Sequence, residues 1–112
     1  MVNDEFHYGA IVKMNFDPQA GHEQAGWRPA LIVSKDTLNK HSNMIMACPI
    51  TNTDRKHPFH IPLDGSTVTN GYILCEQAKM LDIPARNGKF IEDAPSKIVD
   101  EANQLVRQFL ED

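Results

Sequence analysis

The clearest pattern along the chain lies in its last nineteen residues. Ile98, Val99, Ala102, Leu105, Val106, Phe109 and Leu110 recur at steps of three and four, which is one face of an amphipathic helix. Asp93 or Ala94 would cap it, and Pro95 suits its first turn, where a missing N–H costs no hydrogen bond. Upstream the period changes to two. Ala10, Val12, Met14 and Phe16 alternate with Ile11, Lys13 and Asn15, predicting a strand over 10–16. Further strands are predicted at 30–33, 44–51 (interrupted by Pro49), 60–63, 72–76, 79–83 and 89–91. Pro62 places the fourth of these at a sheet edge, and Asn70-Gly71 and Asn87-Gly88 are turn signals. Residues 37–40 form one helical turn at most. Seven short strands closed by one long helix predict a mainly β fold, a small curled antiparallel sheet or partly open barrel with a C-terminal helix. Side chains fill the interior of so small a barrel, which leaves loops and rim for any active site.

Length and composition narrow the class. The 112 residues make one domain over 1–112. No apolar run approaches the roughly 18 residues of a membrane span, and the start, with Asp4 and Glu5, lacks the basic and apolar regions of a signal peptide. Two cysteines, Cys48 and Cys75, do not make a disulfide framework and are expected to be small core residues in a protein of the reducing cytosol. The net charge of −4 is unevenly placed: residues 1–91 hold nine basic and nine acidic side chains and all five histidines, while 92–112 hold six acids against Lys97 and Arg107. A polyanion can therefore approach the body without meeting the acidic end.

No phosphate-binding glycine loop, HExxH, CxxC pair or nucleophile elbow is present. His57 and His60 are three apart, and an extended segment sends them to opposite faces, so neither a metal nor another cofactor is expected. Chemistry concentrates instead in the loop ending Gly21-His22-Glu23-Gln24-Ala25-Gly26-Trp27-Arg28-Pro29. Arg28 precedes a proline and is biased to an extended conformation at the mouth of the next strand. A second polar cluster, Thr51-Asn52-Thr53, follows the strand that ends at Ile50. Arg and Thr presented together at two strand ends form a donor site suited to a phosphate; a solvated loop with a locally paired arginine explains the same residues.

Phe16-Asp17-Pro18, Gly21 to Gly26 and Arg28 to Ser34, then Cys48-Pro49-Ile50-Thr51, Pro58 to Leu63, Glu76 to Asp82 and Ala85-Arg86 run in one collinear order. Together they resemble the MazF/PemK toxins of bacterial toxin–antitoxin systems. That resemblance implies a PemK/CcdB-like, SH3-related small barrel with a C-terminal helix, forming a homodimer. It implies an endoribonuclease that cuts single-stranded mRNA without a metal and is held inactive by a cognate antitoxin, expected to lie across the loop at 17–27.

Metal-free cleavage requires the ribose 2′-oxygen to attack its own phosphate, leaving a 2′,3′-cyclic phosphate and a 5′-hydroxyl, and needs a base, an acid and donors for the developing charge. Arg28 matches the family's motif arginine and is assigned electrostatic stabilisation, since a guanidinium does not give up its proton near neutrality. Thr51 matches the family's threonine and donates to a phosphoryl oxygen. Glu23 or His22 is the base; His22 has the more convenient unperturbed pKa, about 6.5. Some members carry a carboxylate at the position of Glu76 with an arginine two residues before it, where this chain has Leu74. The expected RNA contacts are Gln24, Trp27, Asn52, Lys56, Glu76 and Gln77, with Trp27 also suited to an interface. Two other functions compete: a gyrase poison of the same fold, which depends on a tryptophan near the C-terminus where this chain has its sole tryptophan at 27, and a non-catalytic binding module.

Overall fold

The computed structural model describes residues 5–16, 26–53 and 57–111. In chain order its elements are β1 (Ala10–Asn15), β2 (Trp27–Ile32), α1 (Asp36–His41), β3 (Met44–Thr51), β4 (His60–Pro62), β5 (Tyr72–Leu74), a 3-10 turn at Cys75–Gln77, β6 (Lys79–Asp82), β7 (Lys89–Asp93) and α2 (Ser96–Glu111). All strand pairs are antiparallel, in the order β4-β5-β3-β2-β1-β7, with β6 also paired to β3. Pro62 does lie on an edge strand, where a residue without an N–H breaks no ladder.

β5 and β6 run along the same strand. Ile50 faces Ile73 and Ala47 faces Lys79, so six steps along β5–β6 match three along β3. The 3-10 turn absorbs the excess, lifting Glu76 out of the sheet into solvent while Cys75 stays buried. The strand expected over 72–76 therefore stops at Leu74. The Cys75 N–H is taken by Phe59 O at 3.2 Å and the Ala78 N–H by Cys75 O, a pairing that no local sequence signal announces.

The sheet is apolar on both faces. On one, Ile11, Leu31, Cys48, Ile50 and Ile73 meet Ile98, Val99, Ala102 and Val106 of α2. On the other, around which the sheet curls, Val12, Met14, Phe16, Ala30, Ile32, Ile45 and Leu81 pack together. Successive residues of a strand point to opposite faces, so the run Ala47 to Thr51, buried throughout, feeds both cores in turn. The helix departs from its predicted face only at the end: Phe109 meets Phe59 edge-on at 4.8 Å but stays partly exposed, and Leu110 is uncovered.

Two polar contacts tie α2 and the N-terminal segment to this frame. Asn103 Nδ2 donates to Val33 O at 2.8 Å, and the Tyr8 hydroxyl donates to Asp100 Oδ1 at 2.8 Å. Burial and the Asp100 carboxylate push the Tyr8 phenol up to about 12. A phenol with a raised folded pKa adds stability that is fully present below its ordinary value of 10.0 and disappears as pH climbs through about 12. Tyr8→Phe should therefore lower unfolding stability at neutral pH by about 0.5–1 kcal/mol, a charged hydrogen bond discounted for solvent. It should also flatten the loss above pH 10, read from urea midpoints against pH. In the unsubstituted protein one of the two tyrosines should ionise near pH 12 by absorbance at 295 nm.

Candidate active site at the end of the β2–β3 ladder

β2 and β3 pair through Ile32↔Ala47, Leu31↔Cys48 and Ala30↔Pro49, and the ladder ends there. Pro29, next past the last pair and at a position that would donate across to β3, has no N–H to extend it. Both strands nevertheless continue, so the same register carried two residues further sets Arg28 across from Thr51. The alternation of the pleat gives both side chains the face shared by Ala30, Ile32 and Ala47. Arg28 thus lies within β2, which begins at Trp27 and not at Ala30 as the apolar run suggested; Pro29 sustains the extended backbone on its N-terminal side.

Thr51 is held firmly. It is 6% exposed, its backbone pairs with Tyr72, and its Oγ1 accepts from the Thr53 N–H at 3.3 Å, which leaves the hydroxyl proton for another acceptor. Gly71 secures its backbone. With φ at +124°, an added Cβ there would stand 2.3 Å from Thr51 O and 3.2 Å from Asn52 Oδ1. Asn70-Gly71, which resembles a hairpin turn in the sequence, instead lets one backbone press against another.

The row Arg28, Thr51, Tyr72, Pro62 crosses four strands on one face. Tyr72, half-buried beside Thr51, was not among the expected contacts. Its aromatic type suits a nucleobase face, but only the pairing register brings it to the site. Asn52 is exposed immediately past Thr51. The pleat sends Trp27, 47% exposed, to the face opposite Arg28, a position suited to an interface. Gln77 ends the 3-10 turn, half-buried. His22, Glu23, Gln24 and Lys56 lie outside the described residues, as does most of the loop expected to meet an antitoxin. Cys48 and Cys75 are fully buried. A hydrogen bond with Cys75, together with burial, holds the Cys48 thiol well above its ordinary pKa, so it is no nucleophile.

One expectation is overturned. His57 and His60 do not diverge: a turn at 57–60, with the His60 N–H bonded to His57 O at 3.0 Å, stacks their rings 4.8 Å apart. The segment before β4 is bent where the sequence suggested extension. His60 Nε2 then meets Glu76 Oε2 at 2.9 Å, so the carboxylate expected to contact RNA is engaged by an imidazole.

The fold is a short curled antiparallel sheet backed by one C-terminal helix, with Arg28 and Thr51 at neighbouring strand ends. Residues 7–110 match the family model described as PemK-like, MazF-like toxin of type II toxin-antitoxin system. The chain is 38% identical over 97 residues to Endoribonuclease PemK of Escherichia coli (83% of this chain, 73% of that one) and 40% identical over 105 residues to Endoribonuclease toxin ChpB of Escherichia coli strain K12 (88% of each). Its structure is similar to the crystal structure of MazF from Deinococcus radiodurans, with a TM-score of 0.87 and 33% identity over 93% of this chain and 94% of that one. A MazE-MazF structure from the same organism gives a TM-score of 0.81, with the same identity and coverage. The chain belongs to the PemK-like, MazF-like toxins of type II toxin–antitoxin systems.

The contact at Gly71 can be tested against a second glycine. Gly65 also has a positive φ, +88°, but nothing lies within 4 Å of its missing Cβ. Gly71→Ala should cost about 1–3 kcal/mol more than Gly65→Ala, the usual range for overpacking, in denaturant unfolding.

Proposed function

We propose that the chain is an endoribonuclease that cuts single-stranded mRNA by attack of the ribose 2′-oxygen on the adjacent phosphate, without a metal. The bond broken is that from phosphorus to the 5′-oxygen, giving a 2′,3′-cyclic phosphate and a 5′-hydroxyl. What supports this is the last pair, Ala30↔Pro49, whose register extended by two residues along both strands puts Arg28 across from Thr51. A guanidinium fork matches two phosphoryl oxygens and gains strength as their charge grows in the transition state. The Thr51 hydroxyl, its own position fixed by Tyr72 and Gly71, supplies a neutral donor beside it. The RNA backbone needs no outside nucleophile, because its 2′-hydroxyl is already in place; the enzyme supplies proton transfer and charge stabilisation. Glu23 or His22 is assigned the base.

The same reading makes the working unit a homodimer and gives it a cognate antitoxin laid over 17–27. Two relatives carry endoribonuclease in their names, and a similar solved structure is of MazE-MazF, in keeping with RNA cleavage and with a bound partner protein. Among the described residues no helix is long and apolar enough to cross a membrane.

Arg28→Ala should slow single-turnover cleavage of a long RNA in EDTA at least about 100-fold, the lower range for a lost transition-state donor (about 2.7 kcal/mol). Thr51→Ser should retain more activity than Thr51→Val, and the products should carry cyclic-phosphate ends. A loss below tenfold for Arg28→Ala, or 3′-hydroxyl products, would overturn the mechanism. The base is identified by whichever of Glu23→Gln and His22→Gln removes the acid limb of the pH–rate profile.

A further inference from the structure

We propose that His57, His60 and Glu76 form a binding site for a transition-metal dication of the Zn2+ type, with one nitrogen from each imidazole, one carboxylate oxygen and water as ligands. The site is separate from Arg28 and Thr51 and does not depend on the RNA-cleavage reading.

Three observations carry it. One donor atom from each of the three residues lies within 4.8 Å of the other two. The rings of His57 and His60 stack at 4.8 Å with an interplanar angle of 26°, which brings two imidazoles to one place. The third is a donor pair already close together: the His60 side chain is only 5% exposed and its Nε2 stands 2.9 Å from Glu76 Oε2, so a fixed ring turns that nitrogen toward the carboxylate.

The ligand chemistry selects the metal. Two imidazoles with one carboxylate suit Zn2+ and its first-row neighbours, whereas Mg2+ prefers oxygen ligands throughout. Donor atoms around tetrahedral Zn2+ stand about 3.3 Å apart, given bonds of about 2.0–2.1 Å. The trio must therefore close by up to about 1.5 Å from its 4.8 Å limit. His57 is exposed and Glu76 lies on the exposed 3-10 turn, so both can swing toward the fixed ring of His60. His57 Nδ1 accepts from the Phe59 N–H at 3.2 Å, a long bond that is readily given up to a metal.

The test is isothermal titration of the full chain, first dialysed against EDTA and then freed of it, with ZnCl2 and separately with MgCl2. One equivalent of Zn2+ should bind and Mg2+ should not. His57→Gln alters an exposed side chain and should keep the far-UV circular dichroism unchanged while weakening Zn2+ binding at least about tenfold. Glu76→Gln should weaken it similarly, and Co2+ in place of Zn2+ should give visible d–d bands that both variants lose. Absence of Zn2+ binding would overturn the proposal. So would binding that is unchanged in His57→Gln and Glu76→Gln, which would place the metal elsewhere. The variants leave Arg28 and Thr51 intact, so a failure here is distinguishable from a failure of the cleavage mechanism.

Discussion

The hydrogen-bonded pairing of β2 with β3 breaks off at Ala30↔Pro49, because Pro29 lacks the N–H that would carry it on. Proline in a central strand ordinarily argues against the strand. Here the cost is confined to the end of a ladder, and both strands are held on their far sides, β2 by β1 through Asn15↔Trp27 and β3 by β5 through Thr51↔Tyr72. The two strands thus stay extended while no longer tied to each other. An arginine and a threonine fall at that place, flanked by backbone that is positioned from outside.

Support for this opening comes from layers that never touch it. Cys48 and Ile50 alternate with Ala47 and Thr51 along β3, so the inward-facing residues that pack toward α2 also fix the angle at which Thr51 is presented. The 3-10 turn is what lets one continuous run pair with β3 at both ends while displacing Glu76 from the sheet. Glu92 plays a similar part at a distance. It accepts from the Val68 and Thr69 N–H groups at 3.0 and 2.7 Å, bracing the loop that delivers Gly71. Burial opposes its charge, but these hydrogen bonds prevail and hold its carboxyl below the usual range.

Much of the frame was legible in the sequence, for physical reasons that are local. The three-and-four spacing of Ile98 to Val106 gives α2, and alternation gives β1, because periodicity depends only on neighbours in the chain. Pro62 marked its edge strand correctly. Arg28 and Thr51 were singled out by residue type and by resemblance, but their juxtaposition is a matter of register, which depends on which strands pair and where the ladder stops. Tyr72 was missed for the same reason. The stacking of His57 on His60 was misjudged because a turn closed by the His57 carbonyl replaced the assumed extended backbone. The 3-10 turn was invisible because the bond from the Cys75 N–H to Phe59 O joins residues far apart in the chain.

Trp27 is the only tryptophan, nearly half exposed, and adjoins Arg28 at the start of β2. An indole so placed emits from a single, partly hydrated environment, without the averaging that several tryptophans impose. The molecule therefore carries a built-in optical gauge at the junction between the sheet and the segment that precedes it. Anything that dries, stacks on or crowds this corner writes its effect into one emission band, with no label attached.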